Sequence, residues 1–408
     1  MLSRRQALWP FAAAPLIGRQ AAAPDLGLFF DSAAPKLSTA QAALRQLQAV
    51  WQPGYAAMLL ELAQLLKSEP GGFGPREHLF AFLERQTGQR FGPDLARWHR
   101  WMWTLPYHPH PRYSEFKGYV YGNIDPRMQQ FFPPDRPTPS RIRLDQVQWG
   151  GVRVNGIPPL TTPATLAANE AAYLKDSHIV FGIALNGEAR AYPKRILAWH
   201  EMANDTIGGV ALCIFYCTLC GTVIPYRTGA HAFGTSGLLY ESSKLMFDAA
   251  TYSLWSTLLG EPVIGPLAES GQKLDFVHVT TTTWGEWRQE NPQTRVLSLA
   301  TGHQRNYNEG AAYRAYFATQ DLMFEVSRRD ARLKNKDEVL IIRLPGKVPV
   351  ALAVKRLSHL AEFRFEHEGA TIIVRHANTV TVNGQPFPAH RAFWFGWHAQ
   401  FPTTRLLP

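Results

Sequence analysis

Six residues recur in this chain at fixed spacing and restrict its fold more than any other feature. Trp284, Trp287, Pro292, Thr294, Arg295 and Leu297 reappear as Trp394, Trp397, Pro402, Thr404, Arg405 and Leu407, each 110 positions further on. A period this long marks a supersecondary unit used twice, not a helix or strand periodicity. Upstream, Lys194-Arg195-Ile196 matches Lys355-Arg356-Leu357 at an offset of 161. Gly209, which precedes a strand-like run, matches Gly369 before Ala370 to Val374 at an offset of 160. The chain is therefore expected to hold two degenerate copies of one β-rich unit. The smaller offset at the C-terminal end requires about 50 additional residues in the first copy, over roughly 228–277.

The rest of the chain organises around that repeat. Of 408 residues, 46% are hydrophobic and 18% charged, with no run near the ~20 apolar residues of a membrane helix, which implies a soluble globular protein. Residues 1–23 combine Ser3-Arg4-Arg5, an apolar Leu8 to Ile17 core and Ala21-Ala22-Ala23. This looks like a twin-arginine export signal and implies a periplasmic or otherwise exported protein in an oxidising compartment. Residues 24–108 read as a helical domain of four short antiparallel helices, with apolar positions such as Leu44, Leu47, Met58, Leu62, Leu79 and Leu83 at helical spacing. Seven prolines between Pro109 and Pro139 suggest that 109–145 is an extended linker or wrapping segment. The first copy then spans 146–300 and the second 301–408. The fold class expected is α+β, and the +10 charge is too dispersed among the aromatics to suggest nucleic acid.

Within the first copy, Ile179 to Leu185, Asn186-Gly187 and Glu188 to Tyr192 predict a hairpin. A helix with Ile196, Leu197, His200 and Glu201 should follow Pro193 and end near Asn204-Asp205. Val210 to Tyr216 reads as a buried strand, Cys217 to Gly221 as a tight turn and Thr222 to Arg227 as the returning strand. All three cysteines, Cys213, Cys217 and Cys220, lie within eight residues, so cysteine usage points at one site. The offset of 160 carries Cys217 onto Ala377, Cys220 onto Val380 and His200 onto Leu360 or Ala361. The second copy keeps the scaffold and lacks the polar groups, which weights those groups toward chemistry rather than folding.

The runs Ala198 to Gly209, Phe215-Tyr216-Cys217-Thr218-Leu219-Cys220-Gly221-Thr222, Gly234 to Tyr240, Leu245 to Asp248 and Ser253 to Ser256 together resemble the prokaryotic domain-of-unknown-function family numbered 3179, over roughly Tyr113 to Leu407. The resemblance carries no activity with it. It implies that a position of the cysteine motif can be selenocysteine, which favours a redox or soft-ligand role. The chain departs from the usual pattern at Thr218, Glu241 and Ala249, while His200, Cys217, Cys220, Met246 and Asp248 match it.

From the residues themselves, Cys217-x-x-Cys220-Gly221 on a turn between strands resembles half of a metal knuckle. His200, with Met246 or His231 from the inserted segment, would complete a shell. A Cys/Cys/His/Met set favours copper and a Cys/Cys/His set with water favours zinc. Cys217, Cys220 and Asp248 are candidate catalytic groups, with Glu201 and Asp205 as further acids or bases. Cys213 reads as a core residue. The leading expectation is a soft-metal site, redox-active in one version, served by a redox or metal-delivery partner. The alternatives are a metal-free dithiol-disulfide oxidoreductase and a non-enzymatic interaction protein whose cysteines staple the turn. Gly234-Thr235-Ser236-Gly237 lacks the spacing of a hydrolase elbow, and no phosphate-binding or dinucleotide motif is present.

Overall fold

The computed structural model of the chain describes residues 23–67, 72–376 and 378–407. The export-signal reading falls outside the described residues except for Ala23, and so does Ala377. The architecture is α+β, a helical N-terminal region followed by a β-rich region. Among the described residues no helix is long and apolar enough to cross a membrane.

Helices Leu26–Ser32, Leu37–Ala49, Ala56–Leu66, Phe73–Thr87, Leu95–Thr104 and Tyr113–Gly122 build the N-terminal region. The carboxylates of Asp25 and Asp94 cap the first and fifth by accepting from Gly27 N (2.8 Å) and Arg97 N (3.0 Å). Gly88, at φ 74°, ends the fourth in the left-handed conformation. The sixth corrects the reading of 109–145 as extended. Pro109, Pro111 and Pro126 flank this helix without entering it, so its backbone hydrogen bonds are uninterrupted. Its Phe116 packs with Leu59, Phe82 and Trp98 in a core shared with Val147, Leu245, Phe247 and Ile264 of the β-rich region. The helices thus close their core on a sheet, not on themselves alone.

That sheet has the order Val147–Trp149, Phe233–Tyr240, Ser243–Asp248, Leu254–Ser256, Glu261–Ile264. Four of its five strands lie in the segment 228–277 that the repeat offsets mark as extra.

The repeated hexad sits in two sheets of matching topology. One runs Thr280–Thr283, Ile179–Leu185, Glu188–Pro193, Arg295–Leu297, with Thr165–Ala167 added at the edge. The other runs His390–Phe393, Glu338–Ile342, Val350–Ala353, Arg405–Leu407. In each, the first three strands are antiparallel and the fourth is parallel to the third. Register agrees as well. Thr283 faces Ile179 as Phe393 faces Glu338, Gly182 faces Ala191 as Ile341 faces Ala351, and Arg190 faces Arg295 as Val350 faces Arg405. Trp287 Nε1 donates to Thr294 Oγ1 at 2.9 Å, and Trp397 Nε1 donates to Thr404 Oγ1 at 2.9 Å. The recurring Trp, Thr and Pro residues hold one helix-to-strand corner in both sheets.

The two remaining sheets also correspond. Met202–Ile207, Val210–Cys217 and Thr222–Arg227 are antiparallel neighbours in one, as Glu362–His367, Ala370–Arg375 and Thr379–Val382 are in the other, where Gln385–Phe387 adds a fourth antiparallel strand. The helix after Pro193 ends at His200, and Asn204 and Asp205 lie in the next strand, which corrects the expected helix end. Glu201, at φ 56°, stops the helix, and Ala203 and Ile207 turn into the core. The Asn186-Gly187 hairpin is as expected, with both residues at positive φ.

Gly182 shows how tightly the first unit packs: a Cβ there would lie 2.3 Å from the buried Trp287 ring. Gly182→Ala is expected to destabilise the protein by about 2 kcal/mol through overpacking, measured as a lower denaturant midpoint with unchanged slope.

Candidate functional site

The strand Val210–Cys217 is buried along most of its length, and its Cys213 packs into the core as expected. Burial pushes the Cys213 thiol far above its ordinary pKa, so it is an apolar filler and not a nucleophile. The strand delivers Cys217 to a turn that Gly221 makes with φ 57°. A side chain at Gly221 would meet the Phe393 ring at 2.7 Å. Phe393 N donates to Cys220 O (2.7 Å), and Tyr316 OH donates to Leu219 O (2.8 Å). The turn is therefore held by parts of the chain more than 90 residues away in sequence.

Cys217 and Cys220 are free thiols, 1% and 0% exposed, with their sulfurs 3.1 Å apart. That separation exceeds the ~2.05 Å of a disulfide and is below the roughly 3.5–4 Å of two thiolates on one tetrahedral ion. Their environments differ. Burial disfavours the Cys217 thiolate, but the Cys220 thiol and the backbone N–H groups of Lys244, Cys220 and Leu219 more than offset it, and the thiol lies below its ordinary pKa. Just past Lys244 the pairing of Ser243–Asp248 with Phe233–Tyr240 shifts register, from Lys244 opposite Leu239 to Met246 opposite Thr235, a bulge whose extra residues lie on the second of these strands. Burial, then the neighbouring Cys217 sulfur, pushes the Cys220 thiol well above its usual value. Cys220 Sγ also lies 3.0 Å from Ser242 O.

Beside Cys217 is a small cavity with about 30 Å³ of water-accessible space, lined among others by Glu201, Leu219, Lys244 and Tyr313. Lys244 and Glu201 form a direct ion pair, 7% and 2% exposed. Burial presses the Lys244 ammonium well below its ordinary pKa. Tyr313 OH donates to the other Glu201 oxygen at 3.3 Å. Glu201 is aimed here by its left-handed backbone, and its carbonyl accepts from Tyr216 N at 3.0 Å, which ties it to the cysteine strand.

Of the residues singled out from sequence, the structure brings together Cys217, Cys220 and Glu201. It does not bring His200 to them, which corrects the expectation of a shared pocket. His200 is fully buried, with Nδ1 2.9 Å from Pro158 O and Nε2 2.5 Å from Tyr307 OH, and both nitrogens are thereby engaged on another face of the helix end. Met246 shares the apolar cluster of the cysteines but does not line the cavity. Asp248 lies at the far end of its strand and accepts from Thr251 N (2.8 Å), Thr251 Oγ1 (2.7 Å) and Trp255 Nε1 (3.0 Å), a turn-forming role. Asp205 binds Arg190 and Tyr192, each at 2.6 Å, and His231 packs on Trp255. Among the described residues no group of three or more His, Cys, Asp or Glu could hold a metal ion.

Sequence reading missed Lys244 and Tyr313. A lysine directly before the apolar Leu245-Met246-Phe247, on a strand buried at every position, is a signal for the first only once the strand is known. Tyr313 comes from an irregular loop with no local pattern.

The family model described as "Protein of unknown function (DUF3179)" matches residues 154–385. No curated protein and no solved structure matches the chain.

Proposed function

For a chain that belongs to the DUF3179 family, we propose a redox-active dithiol in which Cys217 is the nucleophile and Cys220 the resolving thiol. One observation carries this reading: two free sulfurs 3.1 Å apart whose surroundings move their pKa values in opposite directions. The lower-pKa thiol supplies the attacking anion, and its partner stays protonated until the first covalent intermediate forms. Closing the pair takes a shift of about 1 Å between the sulfurs. Two electrons leave the dithiol and two protons are released as the S–S bond forms.

Copper or zinc fits less well. Two thiolates supply half of a tetrahedral shell, and His200 spends its nitrogens on Pro158 and Tyr307. A staple role is disfavoured by the buried Lys244–Glu201 pair beside Cys217, which a crosslink does not need.

The test is a thiol count on protein purified and kept under anaerobic, reducing conditions, then unfolded. Three thiols are expected before prolonged treatment with diamide, a dithiol oxidant that reaches the pair through local opening, and one after it. Cys217→Ser and Cys220→Ser should each keep both remaining thiols. Persistence of all three thiols in the treated wild type overturns the reading. Stoichiometric metal that survives dialysis and disappears in Cys217→Ser would establish the metal site instead.

Two further readings accompany this one. The paired sheets, with their common register and corner hydrogen bonds, support descent of both halves from one duplicated unit that kept its polar site only in the first copy. The leader composition supports export. Replacing Arg4 and Arg5 with Lys is expected to block it, as read by the amount of mature protein recovered outside the cytoplasm.

A further inference from the structure

We propose that the oxidant taken by this site is a small peroxide, with hydrogen peroxide as the reference substrate, bound in the cavity between Cys217, Lys244, Glu201 and Tyr313. The proposal rests on the dithiol reading and specifies its substrate class.

Size is the first argument. Cys217 is 1% exposed, and the space beside it, about 30 Å³, has room for one or two waters. A molecule of two bonded oxygens matches that space. A tripeptide disulfide, or a disulfide on a protein surface, cannot bring sulfur within bonding distance of Cys217 without local unfolding. Gly150, Val152 and Ile157, which also line the cavity, are half-buried and bring its wall close to solvent.

Chemistry is the second argument. Peroxide reduction by a thiol needs an anionic sulfur at one oxygen and a proton for the other. Three backbone N–H groups support the Cys217 anion. The Lys244–Glu201 pair and the Tyr313 hydroxyl supply donors on the walls of the same cavity, among otherwise apolar neighbours such as Leu219, Leu238 and Leu239. A buried ion pair is a costly feature for packing alone, and replacing such a pair by apolar residues is often neutral or stabilising. Here it stands beside the more acidic of the two thiols.

The Cys217 thiolate attacks one peroxide oxygen and the O–O bond breaks. Cys217 becomes a sulfenic acid, and the departing hydroxide takes a proton from the Lys244–Glu201 pair to leave as water, while the proton released when the Cys217 thiol ionised restores the pair. The Cys220 sulfur then attacks the Cys217 sulfur, the S–O bond breaks, and the hydroxide leaves with the Cys220 proton as a second water. The two cysteines lose two electrons, the peroxide gains them, and a disulfide with two waters results.

The test compares oxidants on the reduced protein, with thiol loss and disulfide mass as readouts. Hydrogen peroxide is expected to remove two of three thiols with one equivalent consumed, at a rate at least about 100-fold above that for glutathione disulfide and above that for tert-butyl hydroperoxide. Cys220→Ser should accumulate a sulfenic acid at Cys217 that dimedone traps. Tyr313→Phe keeps the packing and is expected to slow the peroxide step by about 10-fold. The double variant Glu201→Gln/Lys244→Met, which removes both charges together, should slow it by about 100-fold. If diamide forms the disulfide while hydrogen peroxide reacts no faster than glutathione disulfide, the peroxide proposal falls and the dithiol reading stands. If neither diamide nor peroxide forms it, both fall. An unchanged peroxide rate in the folded double variant removes the ion pair from the step.

Discussion

Lys244→Met is expected to lower the free energy of unfolding by about 3–5 kcal/mol, the range for breaking a buried pair by removing one partner. Lys244 is 7% exposed and Glu201 2%, and the carboxylate would keep only the 3.3 Å hydrogen bond from Tyr313. Glu201→Gln should cost a comparable amount by stranding the ammonium. The double variant should recover most of the loss, because two neutral side chains of similar size carry no desolvation penalty. Denaturant titrations at constant slope would measure all three. The Lys244 backbone N–H that supports the Cys217 anion survives these changes, so an altered Cys217 rate reports the side chains and not the backbone. Single losses under about 1 kcal/mol would show that the pair is solvated and that its placement beside the thiol has no energetic weight.

Acidification from pH 6.5 to 4.5 is expected to remove about 5 kcal/mol of stability through two buried histidines. Burial, reinforced by the Lys117 charge, lowers His99 to about 4, and burial, reinforced by Arg343, lowers His390 to about 3. His99 stacks on Trp103 at 5.3 Å, and His390 lies edge-on between Phe276 and Trp397 at 6.0 and 5.5 Å. Because their folded pKa values are depressed, the unfolded chain binds these protons first as pH falls below about 6.5. Stability is complete above that point and falls by about 1.4 kcal/mol per pH unit for each histidine until its folded pKa is reached. Glu241, whose carboxyl burial holds above its usual range, acts in the opposite sense. Urea titrations at pH 7.0, 5.5 and 4.5 on wild type and His390→Leu would separate the contributions. The variant should lose one histidine's share of the slope, about 1.4 kcal/mol per pH unit, while His110, His178, His200, His278 and His398, which burial also lowers, keep theirs. An unchanged slope would show that His390 reaches water before it is protonated.

Sequence alone was enough for what depends on local pattern or on internal comparison. Helical spacing in 37–104 and the Asn186-Gly187 hairpin follow from backbone preferences that operate over a few residues. The recurring hexad defined matching sheets, because Trp287 and Thr294, like Trp397 and Thr404, are seven positions apart and meet at one corner. The offsets marked 228–277 as extra, and that segment forms most of a sheet. The Cys217-x-x-Cys220 turn was also legible, since two strands bracket it.

Tertiary structure decided which residues join the cysteines. His200 and Glu201 are adjacent in sequence, but the helix ends between them and Glu201 takes φ 56°, so one side chain faces Tyr307 and the other Lys244. No periodicity encodes that reversal. Asp248 and Lys244 share a strand, yet a bulge separates their surroundings, and the nearby acid is spent on Thr251 and Trp255. Tyr313 arrives from a loop whose position is fixed by contacts such as that of Tyr316 with Leu219. The sequence by itself determined the helical region, the pair of matching sheets and the place of the cysteine turn, because each depends on local or recurring pattern. Only the fold could choose the charges beside Cys217, because burial and direction depend on every element that closes over the turn.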